Sequence, residues 1–156
     1  MGYRLRKKAK KLLVLLVFGG GLWLLPNTMA ATLTIDVTDV RSDQGQILVR
    51  LIDREFFETD RNGRGMGAFS TAVPAQTGTI QVEIDELKEG EYVVQLVHDE
   101  NGNGMLDRNA NQMPIEDWGL SQNLEIANVP NAQFDNIKVS VPVEGMKISI
   151  RMRRLD

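Results

Sequence analysis

Residues 92–107 read Tyr-Val-Val-Gln-Leu-Val-His-Asp-Glu-Asn-Gly-Asn-Gly-Met-Leu-Asp, and the rest of the chain is organised around this stretch. The first part, Tyr92 to Val97, carries apolar residues on both faces of an extended chain, which is typical of a central strand in a sheet. The second part, His98 to Asp107, is rich in carboxylates, amides and glycines. The stretch therefore predicts a buried strand that runs directly into a polar loop.

The spacing of the polar residues in this loop is that of a calcium loop. Carboxylates and amides stand at alternate positions, a glycine follows at the place of a sharp turn, and a second aspartate comes three residues later. Calcium takes six to eight oxygen ligands, including backbone carbonyls. The predicted ligands are Asp99, Asn101, Asn103, the carbonyl of Met105, and Asp107. With so few carboxylates we expect weak binding of Ca²⁺, with a Kd on the order of 10⁻⁴–10⁻³ M.

Two departures distinguish this loop from a helix-flanked calcium site. Ala110 stands where such loops carry a bidentate glutamate, and a strand precedes the loop in place of a helix. Any missing oxygens would come from nearby residues: Asn109, Asn111, Glu116 and Asp117. The alternative is a turn without an ion, because Asn-Gly pairs favour positive φ on their own.

Alternating apolar residues predict further strands on both sides of this stretch. Strand patterns occur around residues 33–37, 47–52, 80–84, 137–141 and 148–152. Residues 54–74 lose the alternation and are predicted as a loop. About seven short strands without a long helical pattern predict an all-β fold, a β-sandwich of immunoglobulin or transthyretin type.

The N-terminus has the pattern of a secretory signal. Six basic residues precede an apolar segment from Leu12 to Leu25, and Thr28-Met29-Ala30 supplies small residues for cleavage. We predict a signal peptide over residues 1–30, a single domain over residues 31–156, and a periplasmic or secreted protein. A membrane would then be contacted only through an uncleaved signal segment. No cysteine is present for a lipid anchor or a disulfide.

Charge and composition exclude several classes of function. Without residues 1–30 the chain has 12 Lys and Arg against 21 Asp and Glu, a net charge of −9, which argues against nucleic acid. His98 is the sole histidine, and without cysteine it makes a poor zinc site. No serine lies in a nucleophile-elbow pattern. We therefore predict no enzyme; the alternative is a hydrolase that uses acidic residues such as Asp99 and Glu116.

The long segment 109–130 offers a candidate binding surface. Four of its residues could line a groove: Trp118, Leu120, Met113 and Ile115. Trp118 and Leu120 are predicted to contact a partner outside the cytoplasm, either a protein or a glycan. The competing interpretation is that these side chains pack onto the sandwich. Ordering of this segment by an ion at residues 99–107 would link the two features.

Residues 90–107 resemble the bacterial family known as domain of unknown function 2141. The shared features are a Gly-x-Tyr strand, at Gly90 to Tyr92, that runs into His-Asp-x-Asn-x-Asn-Gly-x-Leu-Asp. A second segment, 114–123, is similar to the family's Pro-x-Glu-x-x-Gly-Phe-Ser-Asn-Asn pattern, with Leu120 in place of the aromatic residue and Gln122 in place of the first asparagine. The resemblance covers residues 32–152 and implies a secreted β-sandwich, without an established activity.

Overall fold

The computed structural model describes residues 2–5, 30–59, 67–125 and 131–154. These residues form nine strands, two short helices and one 3₁₀ turn at Ser121–Asn123. The strands are β1 Gly2–Leu5, β2 Ala31–Val40, β3 Gln46–Ile52, β4 Phe69–Pro74, β5 Gly78–Leu87, β6 Gly90–Asp99, β7 Trp118–Leu120, β8 Val139–Val141 and β9 Met146–Arg151. The helices are α1 Arg54–Thr59 and α2 Phe134–Ile137.

The strands form two sheets. The first has the order β1-β5-β2-β9; β2 and β5 are antiparallel, whereas β1 runs parallel to β5 and β9 parallel to β2. The second has the order β4-β3-β6-β7, with all pairs antiparallel. β8 also pairs with β6, alongside its first three residues, so β7 and β8 follow one another along one side of β6. β6 is therefore a central strand, as its composition predicts.

The core lies between the two sheets. Alternate residues of β2, such as Leu33, Ile35 and Val37, are fully buried and belong to one cluster with Val49 and Leu96 of the other sheet. The period of two in the sequence thus marks the buried face of each strand. The prediction of an all-β chain with two packed sheets is confirmed.

The segment 54–74 differs from the prediction of a loop. It begins with α1 and ends with β4, which pairs with β3 from Phe69 to Pro74. β4 is an edge strand, and Val73 is its one buried residue. Its sequence therefore shows no strong alternation of apolar residues. Sequence periodicity detects burial, and this strand buries little.

The N-terminal residues Gly2–Leu5 lie beside β5, in register from Gly2 opposite Gln81 to Leu5 opposite Ile84. Residues 1 and 6–29, which hold most of the predicted signal segment, lie outside the described residues. The division into residues 1–30 and 31–156 stays a prediction. Within the described ranges, no helix has the length and apolar character needed to cross a bilayer.

The C-terminal segment joins the two sheets close to the loop that follows β6. After β9, the amide of Met152 donates to the carbonyl of Thr38 in the first sheet. The next residue, Arg153, exchanges two backbone hydrogen bonds with Trp118 of the second sheet. The segment that leads into β7 is thereby held against the end of the sandwich.

Candidate metal centre

His98 lies at the end of β6, where the strand becomes the loop. Its side chain is fully buried, and its Nε2 lies 2.8 Å from the carbonyl oxygen of Gln44 in the turn before β3. Its backbone amide donates to the carbonyl of Asp117. These contacts hold the start of the loop on both sides and give His98 a structural position at the rim of the sheet.

Asp99, the first predicted ligand, is fully buried and closes the loop on itself. Its carboxylate accepts hydrogen bonds from Gln46 Nε2 at 2.8 Å, from the amide of Gly104 at 2.9 Å and from the amide of Asn103 at 3.0 Å. Burial alone would raise the pKa of Asp99, but the hydrogen bonds from Gln46 and the loop amides outweigh it, so the pKa lies below its usual range. The carboxylate is therefore ionised at neutral pH.

The other predicted side-chain ligands meet at the carboxylate of Asp107. Nδ2 of Asn101 donates to one Asp107 oxygen at 2.5 Å, and Nδ2 of Asn103 donates to the other at 2.9 Å. The amide oxygen of Asn101 accepts the backbone N–H of Asn103, and that of Asn103 accepts the N–H of Met105. The structure thus brings Asp99, Asn101, Asn103 and Asp107 together within one loop, with Met105 beside them.

Glu116 joins the two ends of the loop. It is 5% exposed, and its two oxygens accept the backbone amides of Glu100 at 3.1 Å and Asp107 at 3.0 Å. The pKa of Glu116 lies above its usual value, mainly because the carboxyl group is buried. The two amides lower this pKa, and the charges of Asp107 and Asp99 add to the effect of burial in raising it.

Asp117, the other acidic candidate in this segment, has a different role. It is fully buried and accepts two hydrogen bonds from Arg41 and one from Arg154. Arg154 also reaches Glu100, which accepts Ser42 as well. Asp117 is thus neutralised by arginines and is not available as an ion ligand. Its partners lie 76 and 37 residues away, beyond what local spacing reveals.

Residues 107–115 form a hairpin beside the loop. Arg108 and Pro114 are bridge partners, the amide of Ile115 donates to the carbonyl of Asp107, and that of Asn109 donates to the carbonyl of Met113. The turn is closed by the side chain of Asn109, whose oxygen accepts the amides of residues 111 and 113. Asn109 and Asn111 therefore serve the turn of the hairpin.

Trp118 and Leu120 lie in β7 and pack onto the sandwich. Trp118 is 7% exposed, and Leu120 is half-buried against a small cluster of Val93, Phe134 and Ile137. The exposed large apolar side chains of the described residues are Met105, Met113 and Ile115, which all lie in the loop and its hairpin. Of the four residues predicted to line a groove, Met113 and Ile115 are therefore exposed, whereas Trp118 is buried and Leu120 half-buried.

Carboxylates alone do not make a metal site here. Among the residues that the structure describes, no group of three or more His, Asp or Glu side chains could hold a metal ion. An ion in this loop would depend on amide and backbone oxygens in addition to Asp99 and Asp107. This is the ligand chemistry of calcium, which accepts neutral oxygens readily.

A family profile matches residues 35–149, most of the chain, and the chain belongs to this family, described as "Uncharacterized protein conserved in bacteria (DUF2141)". The match includes β6, the loop and the hairpin. The comparisons with curated proteins and with solved structures found no match.

Proposed function

We propose that this protein is an exported calcium-binding module, an immunoglobulin- or transthyretin-like sandwich that acts in the periplasm or outside the cell. The observation that carries the proposal is the convergence of the side chains of Asn101 and Asn103 on Asp107, within a loop that Asp99 closes. Two carboxylates and two amides then lie together without a basic side chain hydrogen-bonded to either carboxylate among the described contacts.

The ion would be held by Asp99, Asn101, Asn103, Asp107 and the carbonyl of Met105. Both lone pairs of Asp99 Oδ2 accept hydrogen bonds, from Gln46 and from the amide of Gly104, so a cation at this oxygen would replace the hydrogen bond from Gln46 and leave the loop amides in place. Each asparagine presents either its nitrogen or its oxygen to Asp107, depending on the rotation of the amide group, and a cation favours the oxygen. The positive charge would also offset the charges of Asp107 and Asp99, which add to burial in raising the pKa of Glu116.

Calcium binding would stabilise the segment that follows the loop. Glu116 connects the loop to the end of the hairpin through the amides of Glu100 and Asp107. An ion that fixes Asp107 therefore also fixes the start of the hairpin. The proposed role of the protein is to present this hairpin to a partner in a calcium-dependent way.

The geometry around the acidic residues also bears on the two alternatives, a hydrolase and a turn without an ion. A hydrolase would need Asp99 and Glu116 on an open cleft, whereas both are buried and both accept backbone amides. We therefore propose no catalytic role for them. A turn without an ion is favoured by the hydrogen bonds that Asp99 already receives, and the following experiment decides between this turn and the calcium site.

The test is a thermal melt of the purified protein in chelator, in magnesium and in calcium at about ten times the expected Kd. At that ratio an ion that binds only the native state adds about 1.4 kcal/mol, which raises the Tm by several degrees. We expect this rise with calcium for the native sequence and not for Asp107→Asn. The matched control is Asp39→Asn, an exposed aspartate outside the loop, near the C-terminal end of β2, with a positive φ that asparagine tolerates. Coincident curves in chelator and calcium would establish the turn and rule out the calcium site.

A further inference from the structure

Two neighbouring asparagines of the loop stand directly before glycine. The pairs are Asn101-Gly102 and Asn103-Gly104; a third Asn-Gly pair, at residues 62–63, lies outside the described residues. In both loop pairs the asparagine and the glycine are exposed, and the φ of the glycine is positive, +75° at Gly102 and +79° at Gly104. Glycine has no side chain to shield its amide nitrogen, so the asparagine side chain can approach it closely. Both pairs therefore meet the steric condition for deamidation.

Deamidation of such a pair is a reaction of the chain with itself, followed by hydrolysis. The glycine nitrogen attacks the side-chain carbon Cγ of the asparagine, so that a new C–N bond closes a cyclic imide and the Cγ–Nδ2 bond breaks. The proton that the glycine nitrogen loses is replaced, through solvent, on the departing nitrogen, which leaves as ammonia. Water then opens the imide at either of its carbonyls and gives aspartate or isoaspartate. The reaction therefore requires that hydroxide can remove the glycine amide proton.

The two asparagine side chains are held in the same way, so they do not distinguish the two pairs. The amide oxygen of Asn101 accepts the N–H of Asn103 at 3.0 Å, and that of Asn103 accepts the N–H of Met105 at 2.8 Å. Each donor would stabilise the negative charge that develops on the oxygen during attack. Each departing Nδ2 also donates to Asp107. A difference in reactivity must therefore come from the glycine amides.

The glycine amides differ in their contact with Asp99. The N–H of Gly104 donates to Oδ2 of Asp99 at 2.9 Å, and this side chain is fully buried. A hydrogen bond to a buried carboxylate shields the amide proton from hydroxide, and the negative charge opposes its removal. The hydrogen bond from Gly102 is the one that lowers the pKa of Asp99 least among the three loop amides. The proton of Gly102 is therefore the more accessible of the two.

We propose that Asn101 is a site of spontaneous deamidation in the folded protein. Asn103 has the same sequence context and is protected, because Gly104 donates to Asp99. The carboxylate formed at position 101 faces Asp107, which it repels, in place of an amide that donates to it, so the loop without an ion is weakened. In the aspartate product this carboxylate also stands at a ligand position and would strengthen calcium binding. That last consequence, unlike the modification itself, rests on the proposed function.

The test follows both asparagines in one peptide. The purified full chain is incubated with chelator in mildly alkaline buffer, once in the native state and once in urea, and samples are digested briefly with trypsin. Residues 89–108 form a single tryptic peptide that contains both pairs, and its fragmentation in a mass spectrometer locates the conversion at residue 101 or 103. In the native chain we expect conversion at residue 101 to be about tenfold faster, because the Gly104 amide must first give up a charge-assisted hydrogen bond. In urea the two rates should be similar.

The control variant is Gly102→Ala, whose added methyl group meets no atom within 4 Å but hinders the attack at residue 101. Conversion at residue 101 should fall in this variant, while that at residue 103 should not change. Equal rates at the two residues of the native chain, or a faster rate at residue 103, would overturn the proposal. So would a native chain that converts at neither residue while the unfolded chain converts at both. Because the reaction is followed in chelator, a Tm that does not respond to calcium would end the proposed function and leave this inference standing.

Discussion

Among single residues, Asp117 contributes most clearly to the placement of the loop. It is the residue at which β2, the segment before β7 and the C-terminal segment meet, through Arg41 and Arg154. Burial would raise the pKa of Asp117, but the hydrogen bond from Arg41 and the charges of both arginines lower it below its usual range. The ionised carboxylate therefore stabilises the fold above the pKa of the unfolded chain, about 3.9. This contribution is lost as the pH falls through the lower pKa of the folded state.

We predict that Arg41→Gln lowers the free energy of unfolding at pH 7 by about 1–3 kcal/mol. Loss of a partner from a buried ion pair costs about 3–5 kcal/mol, and the loss is smaller here because Arg154 remains and the Arg41 side chain is 48% exposed. The difference from the native sequence should narrow below about pH 4 as Asp117 becomes protonated. Urea unfolding of both proteins at several pH values measures this difference in the free energy of unfolding.

The control for this prediction is Arg151→Gln, which removes a contact of 3.5 Å with Asp39 between two exposed side chains. This change should have little effect at any pH. A loss of stability for Arg41→Gln that stays constant down to pH 3 would show that Arg41 acts by packing and not by its charge.

Among the elements, the turn between β2 and β3 determines where the loop begins. Gly45 has a φ of +69°, and a Cβ at this position would overlap the carbonyl oxygen of Asp99 and lie 2.7 Å from the Cα of Glu100. The backbone of this turn thus packs directly against the first residues of the loop. On one side of Gly45, the carbonyl of Gln44 contacts the side chain of His98. On the other side, the side chain of Gln46 donates a hydrogen bond to Asp99.

We predict that Gly45→Ala destabilises the protein by about 2–4 kcal/mol, since it combines an unfavourable φ with a steric overlap against backbone atoms. The matched control is Gly102→Ala, at a φ of +75° with no atom within 4 Å of the added Cβ, which should cost only about 1 kcal/mol. Chemical unfolding of both variants measures the difference. Equal losses would mean that φ alone matters and that the turn is free to move away from Asp99.

The strands and the loop could be predicted from sequence because their signals are local. Period-two alternation marks the buried strands, and the ligand spacing predicted that Asp99, Asn101, Asn103 and Asp107 would lie together. β4 was not predicted because Val73 is its one buried residue, so its sequence has no apolar alternation. The links from Arg41 and Arg154 to Asp117 join residues that are distant in sequence, so no local pattern shows them. Trp118 is buried, unlike Met113 and Ile115, and its backbone pairs with Arg153, which is also distant in sequence.

In the whole molecule, the sheet edges are protected in different ways. The outer edge of β9 is covered by Asn123, whose side chain bonds the carbonyl of Ser149 and the amide of Arg151. β7 is joined to Arg153 by two backbone hydrogen bonds. On the other side of the first sheet, β5 pairs with the N-terminal segment Gly2–Leu5, which covers part of its edge. An unpaired edge strand invites pairing with another chain.

Removal of residues 1–30, as the signal pattern predicts, should therefore open the edge of β5. We expect amide hydrogen exchange at residues 81–84 to be faster in a chain that starts at Ala31 than in the full chain, on the order of tenfold, because hydrogen bonds at an edge open locally. β3, between β4 and β6 in the other sheet, provides the internal control and should exchange at the same rate in both chains. Equal protection in both chains, with the shorter chain monomeric, would show that Gly2–Leu5 does not protect this edge. Equal protection with a doubled mass would instead show that two copies pair through β5, so the edge would be exposed only until a second chain covers it.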